Sequence, residues 1–144
     1  MANSAPLDPS QPKDAHIAER LAGDPIAWIT SVRPDGRPHA VPVWFLWEEA
    51  GTLLLFSKPD QKVRNLQANP NVLIALDNTQ AGSDVVVFEG TATLLDNANR
   101  DWVLPPAYAA KYQEDIDRFG WTPEGMAAQY SQPIRITPTG WLFR

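Results

Sequence analysis

The sequence predicts a mainly β domain in which an antiparallel sheet is flanked by short helices. Apolar stretches of strand length recur along the chain and are separated by turns or short connections. One such turn is Pro34-Asp35-Gly36, in which proline presets φ and glycine accepts a positive φ. Because successive early strands are joined this closely, we expect them to pair in an antiparallel sheet.

Six strands are expected, and the second has an unusual composition. Between Val41 and Trp47 it is apolar at every position instead of alternating, which is typical of a strand covered on both faces. Pro42 cannot donate to a strand ladder, so we expect it at a sheet edge or a bulge. Gly90, in the fifth strand, is expected at a bulge or a close backbone contact. The six strands span residues 26–32, 37–47, 52–57, 72–77, 84–95 and 134–143.

Short helices are expected between and after these strands. Asp14 is placed to cap a first helix that ends at Gly23, and Thr122 is placed to cap the last one. Asn69-Pro70 ends the helix after the third strand, because the residue before proline avoids helical backbone angles. The expected helices span about residues 14–23, 59–69, 98–119 with an interruption at Pro105-Pro106, and 123–130.

Length, charge and cysteine content narrow the class of protein. The 144 residues correspond to one domain, and we expect residues 14–144 to form it behind a disordered tail of residues 1–13. The net charge of −5 argues against general nucleic-acid binding, and no apolar stretch is long enough to span a bilayer. The absence of cysteine excludes disulfides, thiolate metal sites and a cysteine nucleophile, and it fits a reducing cytoplasm.

A group of polar and basic side chains lies within residues 56–70, where the third strand is followed by a helix. Ser57 and Lys58 end the strand, and Lys62 and Arg64 follow in the first turns of the helix. A helix N-terminus with a hydroxyl and cations nearby is a natural anion site. The alternative is a solvated basic helix between two strands, which is the commoner role of such charge runs.

The sequence does not identify catalytic residues or a metal site. His16 and His39 are the only histidines, too few and too far apart for a metal motif, and His39 is most simply a surface or edge residue. The chain contains no nucleophile elbow, no P-loop and no Rossmann glycine fingerprint. No acid–base pair stands out either. If the protein is an enzyme, we expect a cofactor to carry the chemistry.

Residues 15–95 contain several short motifs whose order and spacing indicate a family. Pro42-Val43-Trp44-Phe45 precedes the segment that contains Lys62 and Asn69-Pro70, and Glu89-Gly90 follows it. This arrangement resembles the pyridoxamine 5′-phosphate oxidase-like, split β-barrel flavin and deazaflavin oxidoreductases. The resemblance implies a six-stranded antiparallel split β-barrel of the FMN-binding type that forms a homodimer.

The resemblance also implies the position of a cofactor site. In that family a strand-end hydroxyl and helix cations hold the cofactor phosphate. The strand that matches Pro42-Val43-Trp44 lies with its backbone against the cofactor ring, at the interface of a homodimer. Trp141 is expected to face the ring or the partner subunit. The residues implied to bind the cofactor are Pro42, Val43, Trp44, Ser57, Lys58, Lys62, Arg64, Asn65 and Trp141.

Two departures from the family pattern bear on substrate and cofactor. A pyridoxamine phosphate oxidase has a serine-arginine pair before the lysine that matches Lys62, whereas this chain has Asp60 and Gln61. The substrate-binding segment at the C-terminus of that enzyme is not recognisable either, which argues against its substrate. The spacing from Lys62 to Asn65 is more similar to members that use the deazaflavin coenzyme F420, whose acidic tail would use spare cations near the site.

The function implied by the resemblance is that of an F420-dependent oxidoreductase. It would move a hydride from reduced deazaflavin to a small organic acceptor with an activated double bond. An FMN-dependent oxidoreductase of the same class is one alternative, and a non-catalytic flavin or deazaflavin carrier is another. The expected partners are a small-molecule substrate and a second copy of the chain, with no metal, nucleic acid or membrane.

Overall fold

The computed structural model describes residues 3–96 and 104–144, in which one seven-stranded sheet is accompanied by five helices. None of these helices has the length and apolar composition needed to cross a membrane. The helix start expected near residue 98 lies outside the described residues. In chain order the elements are α1 (Pro12–Gly23), β1 (Ala27–Val32), β2 (Pro38–Val43), β3 (Leu46–Trp47), β4 (Leu53–Ser57), α2 (Gln61–Ala68), β5 (Asn71–Leu76), β6 (Val87–Leu94), α3 (Pro106–Lys111), α4 (Gln113–Arg118), α5 (Pro123–Gln129) and β7 (Gln132–Leu142).

The strands form a single antiparallel sheet in the order β2-β1-β5-β6-β7-β4-β3. The two edge strands, β2 and β3, are consecutive in the chain and are separated only by Trp44 and Phe45. The two edges of the sheet therefore meet at one corner, as they do in a split barrel. The predicted fold class, mainly β and antiparallel with short flanking helices, is confirmed.

The sheet has seven strands, so the prediction of six was wrong, and the difference arises at the second strand. The sequence predicts one strand over residues 37–47, but β2 ends at Val43 and β3 begins at Leu46. The chain pairs with β1 before this break and with β4 after it. An apolar pattern cannot reveal the break, because Trp44 and Phe45 are as apolar as the strands that they join.

Two side chains at the end of α3 stabilise the break between β2 and β3. The Tyr112 hydroxyl accepts a hydrogen bond from the Phe45 N–H at 2.9 Å and donates to the Pro25 carbonyl at 2.6 Å. Lys111 Nζ donates to the Phe45 carbonyl at 2.9 Å and lies 3.6 Å from the centroid of the Phe45 ring. Phe45 and Tyr112 are buried, so the backbone groups of Phe45 need partners within the protein. These bonds take the place of the ladder hydrogen bonds that the break removes.

Two apolar cores lie on opposite sides of β4. All five residues of β4 are buried, and the first four alternate between the cores. Leu53 and Leu55 belong to the core inside the barrel, whereas Leu54 and Phe56 pack with the helical segment that follows residue 103. Residues 104–130 therefore form a wall along one side of the sheet, next to the end of β4. The residues of this wall that belong to the second core are Leu104, Tyr108, Tyr112, Ile116 and Met126.

The first helix begins earlier than the sequence predicts, so the assignment of Asp14 as its cap was wrong. Gln11 occupies the cap position and Pro12 is the first helical residue. Proline favours this position because its fixed φ is already helical. The Asp14 carboxylate instead accepts two hydrogen bonds from the Arg144 guanidinium, at 2.9 and 2.6 Å.

The segment before α1 runs against the last strand of the sheet. Asn3 and Trp141 exchange two backbone hydrogen bonds, with N–O distances of 3.0 and 2.7 Å. Leu7 packs against the core inside the barrel. Disorder of residues 1–13 stays a prediction. A measurement in solution would show whether the contacts of Asn3 and Leu7 persist there.

Two local predictions are confirmed. Thr122 caps α5, since its side chain accepts a hydrogen bond from the Gly125 N–H at 3.0 Å. Gly90 lies at a register shift between β6 and β7. A Cβ at this position would lie 2.6 Å from Ile136 Cγ2, so a larger residue would force its neighbours to move.

The Tyr112→Phe variant tests the hydrogen bonds at the strand break. The variant keeps the ring but leaves the Phe45 N–H and the Pro25 carbonyl without their partner. We therefore expect the free energy of unfolding, measured in urea, to fall by about 1–3 kcal/mol. Tyr130→Phe, at a half-buried position, is the control and should change stability by less than about 0.5 kcal/mol. Equal losses in the two variants would contradict the role of the Tyr112 hydroxyl.

Candidate functional site

A cavity of about 460 Å³ lies between the sheet edge and the helical wall. Three parts of the chain form most of its lining: the end of β2, the connection from β4 into α2, and the wall of residues 104–130. Ile26, just before β1, also lines it. Its lining is charged around the start of α2 and mostly apolar elsewhere. The aromatic side chains that line it are Trp44, Phe56, Tyr108, Phe119, Trp121 and Tyr130.

The charged end of the cavity is organised by Lys62. This lysine is 5% exposed, and its ammonium donates to the Ser57 hydroxyl at 2.6 Å. The Asp60 carboxylate lies 3.3 Å from the same ammonium and also caps α2 by accepting from the Val63 N–H. A buried ammonium is stable only with partners of this kind. These partners hold it at the cavity wall, where it can meet an anion.

The other two cations of the segment take different positions. Lys58 lines the cavity, is exposed, and has its ammonium 5.3 Å from the centroid of the Tyr130 ring. Arg64 does not line the cavity, since its exposed side chain donates to Gln61 at 2.9 Å within α2. The cation cluster expected from the sequence is therefore divided, with Lys58 and Lys62 at the cavity and Arg64 on the exposed surface of the helix.

Aromatic rings form much of the remaining lining. Trp44 stacks on Tyr112, with ring centroids 4.3 Å apart and planes inclined by 4°. Trp121 approaches Trp44 to 5.8 Å. Phe119 and Trp121 are 49% and 43% exposed, although their rings lie 4.7 Å apart. Large aromatic side chains left exposed beside a cavity are typical of a binding surface.

The structure brings six of the nine expected site residues to this cavity and places three elsewhere. Asn65 is fully buried and donates to the Ser31 hydroxyl at 3.0 Å. Trp141 is buried in the barrel core, with its ring 4.8 Å from Phe88. Arg64 is the third residue that does not line the cavity. The six that line it are Pro42, Val43, Trp44, Ser57, Lys58 and Lys62.

The helical wall is the part of the site that sequence reasoning missed. Tyr108, Tyr112 and Ile116 recur every four residues, and this spacing does indicate one buried helical face. The spacing does not reveal which surface of the sheet that face covers. Only the contacts of the wall with Trp44 and with the end of β4 show that it borders the site.

The side chains around the cavity are better suited to binding than to acid–base chemistry. Burial raises the pKa of Tyr108 and of Tyr112, so both phenols stay protonated near neutral pH. In the part of the chain that the structure describes, Asp60 is the only carboxylate in the lining and no histidine lines it. The described residues contain no group of three or more His, Cys, Asp or Glu placed to hold a metal ion. What the site offers is shape, apolar surface and a local positive charge.

Comparisons with known proteins find one family and many similar structures. The model of the family described as pyridoxamine 5′-phosphate oxidase matches residues 14–144. No curated protein matches significantly. An F420 reductase structure is 25% identical, with a TM-score of 0.56, and the match covers 88% of this chain and 96% of that one.

Two further structures are similar in fold but more distant in sequence. An FAD-binding protein from Mesorhizobium loti is 22% identical, with a TM-score of 0.62, over 88% of this chain and 90% of that one. HutZ, the haem storage protein from Vibrio cholerae, is 20% identical, with a TM-score of 0.61, over 96% and 94%. The three proteins are named for three different ligands, so these likenesses support the fold and leave the ligand open.

Lys111, which donates to the backbone at the strand break, makes the free energy of unfolding depend on pH. Burial lowers the pKa of Lys111 from 10.5 to about 8, and the charge of Asp24 opposes this shift. Between these two values the unfolded chain binds more protons at this residue than the folded chain does. Its contribution to folded stability therefore rises as the pH increases through this window.

The free energy of unfolding of the wild type and of Lys111→Gln should be compared at about pH 7 and about pH 9.5. The wild type should gain stability relative to the variant at the higher pH, because the cost of burying the ammonium disappears as it loses its proton. Lys13→Gln, at an exposed position of α1, is the control and should show no such gain. A difference between wild type and Lys111→Gln that stays constant or falls with pH would contradict this assignment.

Proposed function

The chain belongs to the pyridoxamine 5′-phosphate oxidase family, and we propose that it is an oxidoreductase that binds coenzyme F420. In this proposal a hydride passes from the reduced deazaflavin to a small organic acceptor with an activated double bond, and the resulting anion takes up a proton from the solvent. The observation that carries the proposal is the buried Lys62 ammonium, paired with Ser57 at one end of an aromatic-lined cavity. This pair is an anion site beside a surface suited to a flat ring system.

The cavity fits a ring system that carries a phosphate on a short chain. Its volume of about 460 Å³ lies in the usual range of small-molecule pockets. The apolar lining supports a planar ring, and the donors of Ser57, Lys58 and Lys62 support an anion. Deazaflavin and FMN both have this layout, with a tricyclic ring joined through a ribityl chain to a phosphate.

Each part of the cavity has a role in this proposal. Lys62 and Ser57 would hold the phosphate. The end of the edge strand β2 would lie along the ring, where Pro42 has no N–H that could recruit another strand. Trp44 and the exposed aromatic residues of the wall would limit access of water to the ring and receive the acceptor. The cofactor supplies the hydride when bound in its reduced form, and the chain supplies position and an apolar environment.

Two observations favour the deazaflavin over FMN. One is the likeness to an F420 reductase at 25% identity over most of both chains. The other is the exposed Lys58 at the cavity, which can meet the acidic tail that continues beyond the deazaflavin phosphate. Arg64 stays a proposed contact of the same tail. Each exposed ion pair contributes about 0–1 kcal/mol, so the preference should be graded and should shrink as salt rises.

Two other functions keep specific support. FMN is one alternative, since it has the same layout of tricyclic ring and ribityl phosphate that the cavity fits. A non-catalytic carrier is another, since the lining is better suited to binding than to acid–base chemistry. Both alternatives use the same cavity, so they differ from the main proposal in ligand preference and in turnover.

Titration of the purified protein with F420 and with FMN tests the phosphate site. Lys62→Gln should weaken F420 binding about ten- to hundredfold, because a charge-assisted bond to an anion contributes about 1.5–3 kcal/mol. Arg64→Gln, on the exposed surface of the same helix, is the matched control, with an expected loss of about threefold that disappears at high salt. Thermal unfolding checks that both variants are folded. Equal F420 affinity in wild type and Lys62→Gln would rule out this site.

Turnover then separates an enzyme from a carrier. Reduced F420 is mixed with the protein and a panel of enones, and oxidation of the cofactor is followed by absorbance. The wild type should accelerate the oxidation, and Lys62→Gln should do so less at subsaturating cofactor. Binding without acceleration across the panel would favour a carrier. Acceleration with reduced FMN and not with reduced F420 would replace the deazaflavin by FMN.

A homodimer is also part of the proposal. Among the residues that the structure describes, four large apolar side chains are exposed, namely Trp28, Phe119, Trp121 and Phe143, and exposed apolar patches commonly mark an interface. Sedimentation at micromolar concentration should give a species of twice the 16.0 kDa chain mass. A stable 16.0 kDa species that still binds the cofactor would count against the dimer.

A further inference from the structure

Asp60 places a negative charge at the anion end of the cavity. Its carboxylate lies 3.3 Å from the Lys62 ammonium, and its side chain is 48% exposed. Among the described residues, the charged side chains in the lining are Lys58, Lys62 and Asp60, two cations and one anion. The formal charge of this end is therefore a single positive unit, because the carboxylate compensates one of the lysines before any ligand binds.

Two kinds of phosphate differ in the charge that they bring to such a site. A terminal phosphate monoester has a second pKa near 6 and carries about −1.5 to −2 charges at neutral pH. A phosphate diester carries one negative charge. Coulomb repulsion from a fixed carboxylate is proportional to the charge of the phosphate next to it, whereas charges further along the ligand are weakened by distance and by salt. Asp60 therefore opposes a monoester up to about twice as strongly as a diester.

We propose that Asp60 makes this site selective for a phosphate diester over a terminal phosphate monoester. The inference rests on the proposed function, since it assigns a role within the same cofactor site. The two candidate cofactors differ in this property: FMN ends in a monoester, whereas the phosphate of F420 is a diester because its chain continues. Asp60 therefore acts on cofactor choice through the phosphate, whereas Lys58 is proposed to act through the acidic tail.

Asp60 also has a structural role, and the two roles can be separated. Its side chain caps α2 through the Val63 N–H, and asparagine or serine can do the same without a charge. The Ser57 hydroxyl lies 3.3 Å from Asp60 Oδ1, but it also donates to the Lys58 carbonyl at 2.6 Å and accepts from Lys62 at 2.6 Å. These two shorter bonds do not involve Asp60. Removing the Asp60 charge should therefore change the electrostatics of the site more than its geometry.

The test measures the affinities of F420, FMN and riboflavin, which has no phosphate, for the wild type, Asp60→Asn and Asp60→Ser. For a separation of about 6 Å between two unit charges in a water-exposed site, removing the like charge should tighten diester binding roughly threefold. The monoester should gain about the square of that factor, roughly tenfold, because it carries nearly twice the charge. The ratio of FMN to F420 affinity should therefore rise about threefold in both variants, while riboflavin affinity stays unchanged.

Asp35→Asn is the matched control. It removes the same charge from the turn between β1 and β2, at a residue that does not line the cavity, and should leave the affinity ratio unchanged. Equal changes for FMN and F420 in the Asp60 variants, or an equal change for riboflavin, would overturn the role of Asp60 while the cofactor proposal stands. Failure of F420 and FMN to bind any of these proteins would overturn the proposed function and this inference together.

Discussion

The arrangement of the chain depends on the hydrogen bonds that satisfy the backbone at Phe45. Here the chain leaves β2, at one edge of the sheet, and enters β3, at the other edge, so the strand ladder is interrupted. Tyr112 and Lys111 supply the missing partners from the end of α3. The same bonds attach the helical wall of residues 104–130 to the sheet. The strand break and the cavity wall are therefore two consequences of one set of contacts.

The position of the cavity follows from these contacts and from β4. This strand is buried along its whole length because it separates the two apolar cores, and its last residue, Ser57, lies where the cores give way to α2. Lys62 is held at that point although burial of its ammonium is unfavourable, and Ser57 and Asp60 offset this by hydrogen bonding and charge. A buried cation that borders an open, aromatic-lined space is well placed to recognise an anion on a flat ligand.

The sequence contains the information for the local parts of this site but not for the distant ones. Ser57 and Lys62 could be identified because a strand end and the helix after it are neighbours in the chain. Tyr112 could not, since it meets Phe45 from 67 positions away and its helical spacing does not say what it covers. Arg64 and Asn65 show a second limit: both closely follow Lys62, but the helix turns one to solvent and buries the other. The apolar pattern likewise hides the strand break, which is why one strand was expected over residues 37–47.

We have proposed that Lys62 and Ser57 hold the phosphate of a deazaflavin in this cavity. A crystal structure of the protein with bound F420 tests it most directly. We expect phosphate oxygens within about 2.7–3.2 Å of Lys62 Nζ and Ser57 Oγ, with the ring between the end of β2 and the helical wall. Cofactor bound at another surface, or in the cavity with its phosphate beyond about 4 Å from both atoms, would contradict it.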